Sequence, residues 1–351
     1  MPDGISERKR AHLELCADGE VEYQRKTTLL DEVDLVHEAL PELATSDLST
    51  ETTLLGKTLR APLLITGMTG GTSEATAINR DLAMVAEAHG IAFGLGSQRA
   101  MQREPTLAST FEVRAHAPTA LVLANLGVVQ AAQLATADVE RLVRAIDADA
   151  VCLHCNPAQE LIQPGGDRDF RGGLAAIARL VRELPCAVVV KETGCGISRA
   201  TAERLRDAGV RAIDVSGAGG TSWVKVEALR GDPAAHALGS EFAEWGIPTA
   251  AAVLGVRGLG LSCIASGGIR SGLDVAKVIA LGAVAAGVAL PVFRAYTAGG
   301  TEGARKFVAG LVDGLRTAML LTGARDLATL GRVPFVTGPM LETWMKLGGG
   351  E

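Results

Sequence analysis

Short apolar runs alternate with helical patterns eight times along this chain, and this alternation restricts the fold more than any other feature. Most of the runs are continuously apolar, which is typical of parallel strands that are covered on both faces. Eight such strands within about 230 residues favour a closed (β/α)8 barrel, the TIM barrel, over an open parallel sheet. The runs span residues 62–66, 91–96, 120–127, 150–156, 186–192, 212–217, 262–268 and 283–289.

The stretches between these runs carry helix signals. Helices are predicted over 73–89, 136–147 and 198–209, because each stretch opens with Ser or Thr, as is common at helix N-termini. The interval between 217 and 262 leaves room for an additional helix. No low-complexity linker divides the 351 residues. We therefore predict one α/β domain with an N-terminal extension (1–60), a barrel (61–330) and a C-terminal tail (331–351) that carries no recognisable motif.

Charge and hydropathy exclude several classes of function. The formal net charge of −6 provides no global field for nucleic acid or anionic membranes. The longest weakly polar run, 278–293, is shorter than the roughly 20 residues of a membrane helix. The N-terminus lacks the apolar stretch of a secretory signal, so a cytoplasmic protein is expected. Cys152 and Cys155 form a C-x-x-C within an apolar run, which favours buried free thiols over a metal or redox site.

Polar residues or glycines follow all eight apolar runs. In barrel enzymes the carboxyl ends of the strands and the loops after them build the active site, so this pattern predicts a ligand site at one end of the barrel. The loops after the sixth and seventh runs are rich in glycine and lead into helices, an arrangement in which backbone N–H groups bind phosphate. Gly56-Lys57-Thr58 resembles the end of a P-loop, but Glu51 stands where the first glycine should be.

Lys191 ends the fifth apolar run, where its ammonium group would be buried in the barrel mouth. Burial of that charge requires an anionic partner. One interpretation is a ligand such as a reduced flavin ring, and the other is a carboxylate, for which Glu192 and Glu160 are the candidates.

Four polar residues cluster after the fourth run. His154, Asn156, Gln159 and Glu160 combine a possible proton carrier, two amides and a carboxylate, which favours a ligand-facing role over a structural one. One carboxylate together with substrate phosphates is the usual way of holding Mg²⁺, so Glu160 is the predicted metal ligand. In the N-terminal extension, the basic cluster from Arg8 to His12 would be a solvated face unless it folds over the barrel mouth.

Together these motifs resemble the type 2, flavin-dependent isopentenyl diphosphate isomerase family. The resemblance runs from R-K-x-x-H at Arg8, Lys9 and His12 through G-M-T-G-G, G-S-x-R and K-E to S-G-G. The motifs H-x-N-P-x-Q-E and S-G-A-G-G-T-S-W are the most specific, whereas S-G-G is shared with other FMN barrels.

The resemblance implies reversible isomerisation of isopentenyl diphosphate to dimethylallyl diphosphate, with reduced FMN as acid/base cofactor, NADPH as its reductant and Mg²⁺. It implies a homo-oligomer, either a tetramer or an octamer. Lys191 would stabilise the reduced flavin, and the proton carrier would be the flavin, His154 or Gln159. The implied FMN ligands are Thr66, Gly67, Met68, Thr69, Ser97, Asn125, Lys191, Ser216, Thr221, Gly267, Gly268, Ala289 and Leu290. The implied substrate ligands are Arg8, Lys9, His12, Ser97, Gln98, Arg99, His154, Asn156 and Gln159, with Glu160 binding Mg²⁺.

Two other functions would use some of the same motifs. An FMN-dependent barrel dehydrogenase or oxidase would share the phosphate loops, but the IMP dehydrogenase type needs a cysteine in the loop after the sixth strand, which here reads GAGGTSW. A hydroxy acid oxidase would need a later catalytic histidine, and only His236 follows His154. A non-catalytic flavin or phosphate-binding module has no need of Arg99, His154, Gln159 and Glu160 together.

Overall fold

A computed structural model describes residues 3–347 of the chain. Eight parallel strands close into a barrel in the order β10-β11-β4-β5-β6-β7-β8-β9, and two antiparallel pairs, β1-β12 and β2-β3, lie outside it. This arrangement confirms the predicted (β/α)8 barrel. The strands are β1 (Val33–Leu35), β2 (Thr52–Leu54), β3 (Lys57–Leu59), β4 (Leu63–Ile65), β5 (Ala92–Gly94), β6 (Val122–Gly127), β7 (Ala150–Cys155), β8 (Ala187–Glu192), β9 (Ala212–Asp214), β10 (Ser262–Ser266), β11 (Ala285–Val288) and β12 (Phe335–Thr337).

Helices connect the barrel strands and cover them. Thr72 and Ser198 cap two of the helices by accepting backbone N–H bonds, and the helix predicted to reach residue 147 ends earlier, at Arg144. The long interval after β9 holds three helices rather than one extra helix. The helices are α1 (Asp3–Asp18), α2 (Ser73–His89), α3 (Arg99–Arg103), α4 (Val128–Gln133), α5 (Thr136–Arg144), α6 (Pro157–Ile162), α7 (Gly173–Glu183), α8 (Arg199–Asp207), α9 (Trp223–Arg230), α10 (Pro233–Phe242), α11 (Thr249–Val256), α12 (Gly272–Leu281), α13 (Leu290–Leu321), α14 (Leu327–Leu330) and α15 (Pro339–Leu347).

The barrel interior is filled by side chains rather than open. One apolar cluster contains at least one residue from each of the eight barrel strands together with Leu54 and Leu59 of the β2–β3 hairpin. The hairpin therefore plugs the end at which the strands begin. Its turn contains Leu55 and Gly56, both with positive φ, and Lys57 Nζ lies 2.7 Å from Asp149 Oδ1. The P-loop-like residues thus belong to this plug and not to the barrel mouth.

The two terminal segments pack against each other beside the barrel. In the C-terminal tail, β12 pairs antiparallel with β1. Leu341 is buried, and its N–H donates to Glu32 Oε2 at 2.7 Å. The tail, for which the sequence carries no motif, is therefore held by the N-terminal extension.

All six cysteines are free thiols, with Cys152 buried and Cys155 half-buried. Within residues 3–347, no helix has the length and apolar character to span a membrane.

Candidate active site

A large pocket lies at the carboxyl ends of the barrel strands, beneath α1. The predicted cofactor residues and, apart from Gln98, the predicted substrate and metal residues all line it. They are Arg8, Lys9, His12, Thr66, Gly67, Met68, Thr69, Ser97, Arg99, Asn125, His154, Asn156, Gln159, Glu160, Lys191, Ser216, Thr221, Gly267, Gly268, Ala289 and Leu290.

Two glycine loops and a helix start form one end of the pocket. Gly267 and Gly268 have φ values of +97° and +77°, which L side chains rarely adopt. A Cβ on Gly268 would also lie 2.7 Å from Gly219 O, so the loops after β9 and β10 touch through their backbones. The pocket wall continues through Ala289 to the first turn of α13. Backbone N–H groups at such loops and helix starts are suited to binding a phosphate; we call this region the glycine cradle.

Lys191 is paired with a carboxylate that the sequence reasoning did not identify. Its Nζ lies 3.4 Å from Asp214 Oδ2, and the side chains are 9% and 1% exposed. Asp214 Oδ1 accepts from Ser266 Oγ at 2.6 Å and from the N–H of Ser216 at 3.2 Å. Asp214 thus orients three groups at the pocket floor. Its charge within the otherwise apolar run AIDVSG is the sequence signal that could have revealed it.

The two carboxylates named as candidates in the carboxylate interpretation of Lys191 are engaged elsewhere, and Asp214 takes that place instead. Glu192 Oε2 accepts from the backbone N–H groups of Thr193 and Gly194, each at 2.7 Å. Glu160 accepts from the N–H of Asp167 at 2.7 Å and from Asn156 Nδ2 at 3.2 Å. Both carboxylates therefore bind backbone N–H groups of the loops that follow them, and they stabilise those loops rather than pair with Lys191.

His154 is held as a neutral ring. Its Nδ1 lies 2.7 Å from Asn125 Oδ1. Since an amide oxygen only accepts, Nδ1 carries the proton. Burial lowers the pKa of His154 to about 3, and the positive charges of Lys191 and Arg99 act in the same direction. His154 therefore offers the pocket an uncharged Nε2 at neutral pH.

Three cations line the pocket, Arg8 and Lys9 from α1 and Arg99 from the start of α3; we call them the cationic wall. Lys9 Nζ donates to Gly70 O and lies 5.2 Å from the centroid of the Phe111 ring. Burial, reinforced by the charge of Arg8, lowers the pKa of Lys9 to about 7. Burial also lowers the pKa of Arg8, and its Nε has no hydrogen-bond partner among the described residues. Cations held in this way favour an anionic ligand.

Glu227 organises the side chains around α1, and the sequence reasoning missed it. It is fully buried and accepts from His12 Nε2 at 2.9 Å, from Gln159 Nε2 at 3.2 Å and from Arg230 Nη2 at 2.8 Å. Burial alone would raise its pKa, but His12 and Arg230 lower the pKa to about 2. In the helical stretch WVKVEALR a glutamate resembles an ordinary solvent-facing residue, so local sequence offers no signal for this role.

Gln98 does not line the pocket, so its position gives no support to the predicted substrate contact. Its side chain is buried, with Nε2 donating to Leu142 O at 3.0 Å and Oε1 accepting from the N–H of Asn125 at 3.2 Å. Gln98 therefore supports the loop behind the site, because its side chain turns towards backbone groups.

Related proteins match nearly the whole chain. Isopentenyl-diphosphate delta-isomerase of Methanothermobacter thermautotrophicus is 45% identical over 99% of this chain and 97% of its own length. The enzyme of that name from Methanosarcina barkeri is 46% identical over 97% and 95% of the two chains. The chain belongs to the isopentenyl-diphosphate delta-isomerase family. This membership confirms the resemblance in the motifs.

This member of the isopentenyl-diphosphate delta-isomerase family has the same barrel fold as several flavin enzymes. The profile of the FMN-dependent dehydrogenase family matches residues 3–157 and 154–336. A mandelate oxidase variant solved with a monooxide FMN adduct aligns with a TM-score of 0.63 and 19% identity over 95% of this chain and 100% of its own. A lactate oxidase of Pediococcus acidilactici aligns with a TM-score of 0.67 and 17% identity over 96% and 94%. At such identities these structures establish the common fold alone.

Proposed function

We propose that this protein catalyses the reversible isomerisation of isopentenyl diphosphate to dimethylallyl diphosphate in isoprenoid biosynthesis, with reduced FMN as acid/base cofactor. The observation that carries the proposal is the presence, in one pocket, of the glycine cradle, the buried Lys191 and the cationic wall. The cradle, the cationic wall and the buried Lys191 match the three charged parts of the ligands, namely a flavin phosphate, a substrate diphosphate and a reduced flavin ring.

The pocket residues fit FMN. In the glycine cradle a Cβ at Gly267 would clash with Gly217 O and one at Gly268 with Thr28 Cγ2, so only glycine fits and the loop backbone stays bare. Lys191 provides a buried positive charge near the strand ends. The buried Thr69 Oγ1 has no hydrogen-bond partner among the described residues and is free to bind a ligand. Thr66 to Thr69, Ser97, Asn125, Ser216 and Thr221 would surround the ring. When bound, reduced FMN supplies an acid/base group beside the substrate alkene.

The cationic wall would hold the diphosphate. Arg8, Lys9 and Arg99 supply charge, while Ser97, His12, Asn156 and Gln159 supply polar groups. Neutral His154 contributes no charge to the free pocket, and an adjacent diphosphate would raise its proton affinity. Fixing the diphosphate end of a short substrate restricts the orientation of its reacting carbons.

Moving the double bond from C3–C4 to C2–C3 requires one protonation and one deprotonation, with positive charge developing at C3. We assign catalytic roles to Lys191, His154 and Gln159. Gln159 is positioned by Glu227 and by Asn156, whose Nδ2 lies 3.1 Å from Gln159 Oε1. Lys191 would stabilise negative charge on the bound cofactor. NADPH would serve only to reduce the cofactor before turnover.

Glu160 would bind Mg²⁺ together with the substrate. Within residues 3–347, no three His, Cys, Asp or Glu side chains converge to hold a metal. A magnesium ion at Glu160 would therefore complete its coordination with diphosphate oxygens and water.

The second candidate function is an FMN-dependent dehydrogenase or oxidase of a phosphorylated or hydroxy acid substrate, because the profile of the FMN-dependent dehydrogenase family matches the chain. His236, the only histidine after His154, is exposed on α10 and does not line the pocket. The loop after β9 contains no cysteine. The pocket thus lacks the groups that those chemistries need.

The deciding experiment is anaerobic incubation with FMN, Mg²⁺, limiting NADPH and isopentenyl diphosphate, followed by proton NMR of the alkene. Conversion far beyond the NADPH supplied supports the isomerase. NADPH consumption in proportion to product, or reducible flavin without conversion, would favour the dehydrogenase.

We also propose that the protein is a cytoplasmic homo-oligomer, either a tetramer or an octamer. Light scattering coupled to size-exclusion chromatography measures the particle mass directly. A mass of one chain, 36.3 kDa, would contradict the proposed assembly.

A further inference from the structure

Arg294, in the first turns of α13, binds the end of α1. Its Nε donates to Cys16 O at 3.1 Å, its Nη2 to Gly19 O at 2.8 Å and its Nη1 to Glu22 Oε2 at 3.0 Å. The last carbonyl groups of a helix lack intrahelical donors, and a guanidinium group at that end also complements the helix dipole. One side chain therefore both caps α1 and holds Glu22, four residues beyond the end of the helix.

Glu22 extends this connection to the glycine cradle. Its other carboxylate oxygen pairs with Arg270 Nη2. Arg270 also donates to Gly268 O at 2.8 Å and to Gly219 O at 3.2 Å. A single carboxylate from the N-terminal extension thus joins the loop after β10 to the start of α13. We call Glu22, Arg270 and Arg294 the clasp.

The clasp connects elements that carry the two proposed ligand sites. Its arginines stand on two of the three elements that form the cradle, the loop after β10 and the start of α13, and both Glu22 and Arg270 line the pocket. On the other side, α1 carries Arg8, Lys9 and His12 into the same pocket. Backbone bonds fasten the chain between them, with Ser222 N–H donating to Val21 O and Tyr23 N–H to Gly220 O, each at 2.9 Å.

We propose that the clasp couples phosphate binding in the cradle to the docking of α1 over the substrate site. Arg294 and Glu22 are then positioning residues, and the inference rests on the proposed function for the identity of the two ligands. Two guanidinium groups share one carboxylate, which leaves positive charge beside the cradle. A cofactor phosphate there orders Arg270 and Arg294, and Arg294 and Glu22 hold the end of α1. Coupling of binding free energies is reciprocal, so substrate diphosphate tightens FMN binding to the same extent.

The test compares Arg294→Ala and Glu22→Gln with the control Lys306→Ala, at a 77% exposed position of α13 beyond its kink at Gly299 and Gly300. Trypsin cleavage after Arg10, which is 61% exposed on α1, reports the docking of α1 without any need for activity. Mass spectrometry follows this cleavage with and without FMN, and flavin fluorescence measures FMN affinity. Circular dichroism verifies that each variant is folded, and the isosteric Glu22→Gln is the milder change.

In the wild type and Lys306→Ala, FMN should slow cleavage after Arg10. In both clasp variants this protection should disappear, FMN affinity should fall about tenfold, and KM for isopentenyl diphosphate should rise about tenfold with a smaller change in kcat. Arg294→Lys should recover only part of the effect, because one ammonium group cannot reproduce three guanidinium contacts.

The proposal would be overturned if folded clasp variants kept the wild-type protection of Arg10 from trypsin and the wild-type FMN affinity. It would also be overturned if FMN did not slow cleavage after Arg10 in the wild type. If protection depends on the clasp but isopentenyl diphosphate is not converted, the clasp stands and the proposed function fails.

Discussion

Individual side chains in this pocket have partners that set their charge. Lys191 is balanced by Asp214, Glu227 by His12 and Arg230, and His154 is kept neutral by burial. Buried charges are tolerated only when they are paired, so these pairs determine which groups remain available to a ligand. Lys9 differs from the others because its ammonium contacts backbone oxygens and an aromatic ring rather than a carboxylate.

The lowered pKa of Lys9 predicts a pH-dependent KM. Because this pKa is about 7, Lys9 is charged below pH 7 and loses its proton as the pH rises above it. Loss of a charged hydrogen bond to the diphosphate should raise KM about tenfold between pH 7 and pH 9. Steady-state kinetics across this range measure the effect.

Lys9→Arg is the matched control, because a guanidinium group keeps its charge throughout this pH range. Its KM should stay level. A rise in KM that is the same in Lys9→Arg would assign the titration to another group.

At the scale of elements, α1 is the part of the structure that completes the site. It is attached at two places. Near its middle, His12 reaches Glu227 on α9, and at its end Arg294 of α13 binds its last carbonyl groups. The β2–β3 hairpin lies at the other end of the barrel, where Leu54 and Leu59 close the apolar interior.

Glu227→Gln should weaken the middle attachment of α1 while leaving the clasp in place. The substitution keeps the side-chain size but removes the charge that His12 and Arg230 share. We expect KM for isopentenyl diphosphate to rise several-fold and FMN affinity to stay within about twofold of wild type. Enzyme kinetics and flavin fluorescence measure the two quantities.

Glu14→Gln is the control, because the Glu14 side chain on α1 is 71% exposed, and it should change neither KM nor FMN affinity. If FMN affinity in Glu227→Gln fell by the same factor as KM rose, the two attachments of α1 would act as one unit.

At the scale of the whole molecule, stability and function lie at opposite ends of the barrel. The strands begin at an apolar plug and end at a polar pocket, as is general for this fold. A substitution in the plug should therefore affect the free energy of unfolding and leave the pocket unchanged.

Leu59→Ala tests this separation. Leu59 is 2% exposed, and truncating a buried leucine costs about 2–5 kcal/mol of unfolding free energy. Denaturant titration should show this loss, while KM and kcat stay at wild-type values below the unfolding transition. Leu40→Ala, at a 79% exposed position, should leave stability unchanged. A large change in KM for Leu59→Ala would contradict the separation of the two ends.

The sequence by itself determined the barrel and most of the residues around the pocket. Apolar runs and the polar groups that end them are local patterns, and parallel strands in a closed barrel bring all of those ends to one rim. Ser97, Asn125, His154 and Lys191 could therefore be assigned to one site without knowledge of any contact.

Only the tertiary structure decided which side chains pair. Lys191 meets Asp214 rather than the nearer-in-sequence Glu192, His12 meets Glu227, and Arg294 binds Cys16 O across 278 positions of sequence. Gln98 turns away from the pocket although its neighbours Ser97 and Arg99 line it. Such pairings depend on packing between elements that are distant in the chain, and no local pattern of residue types encodes that packing.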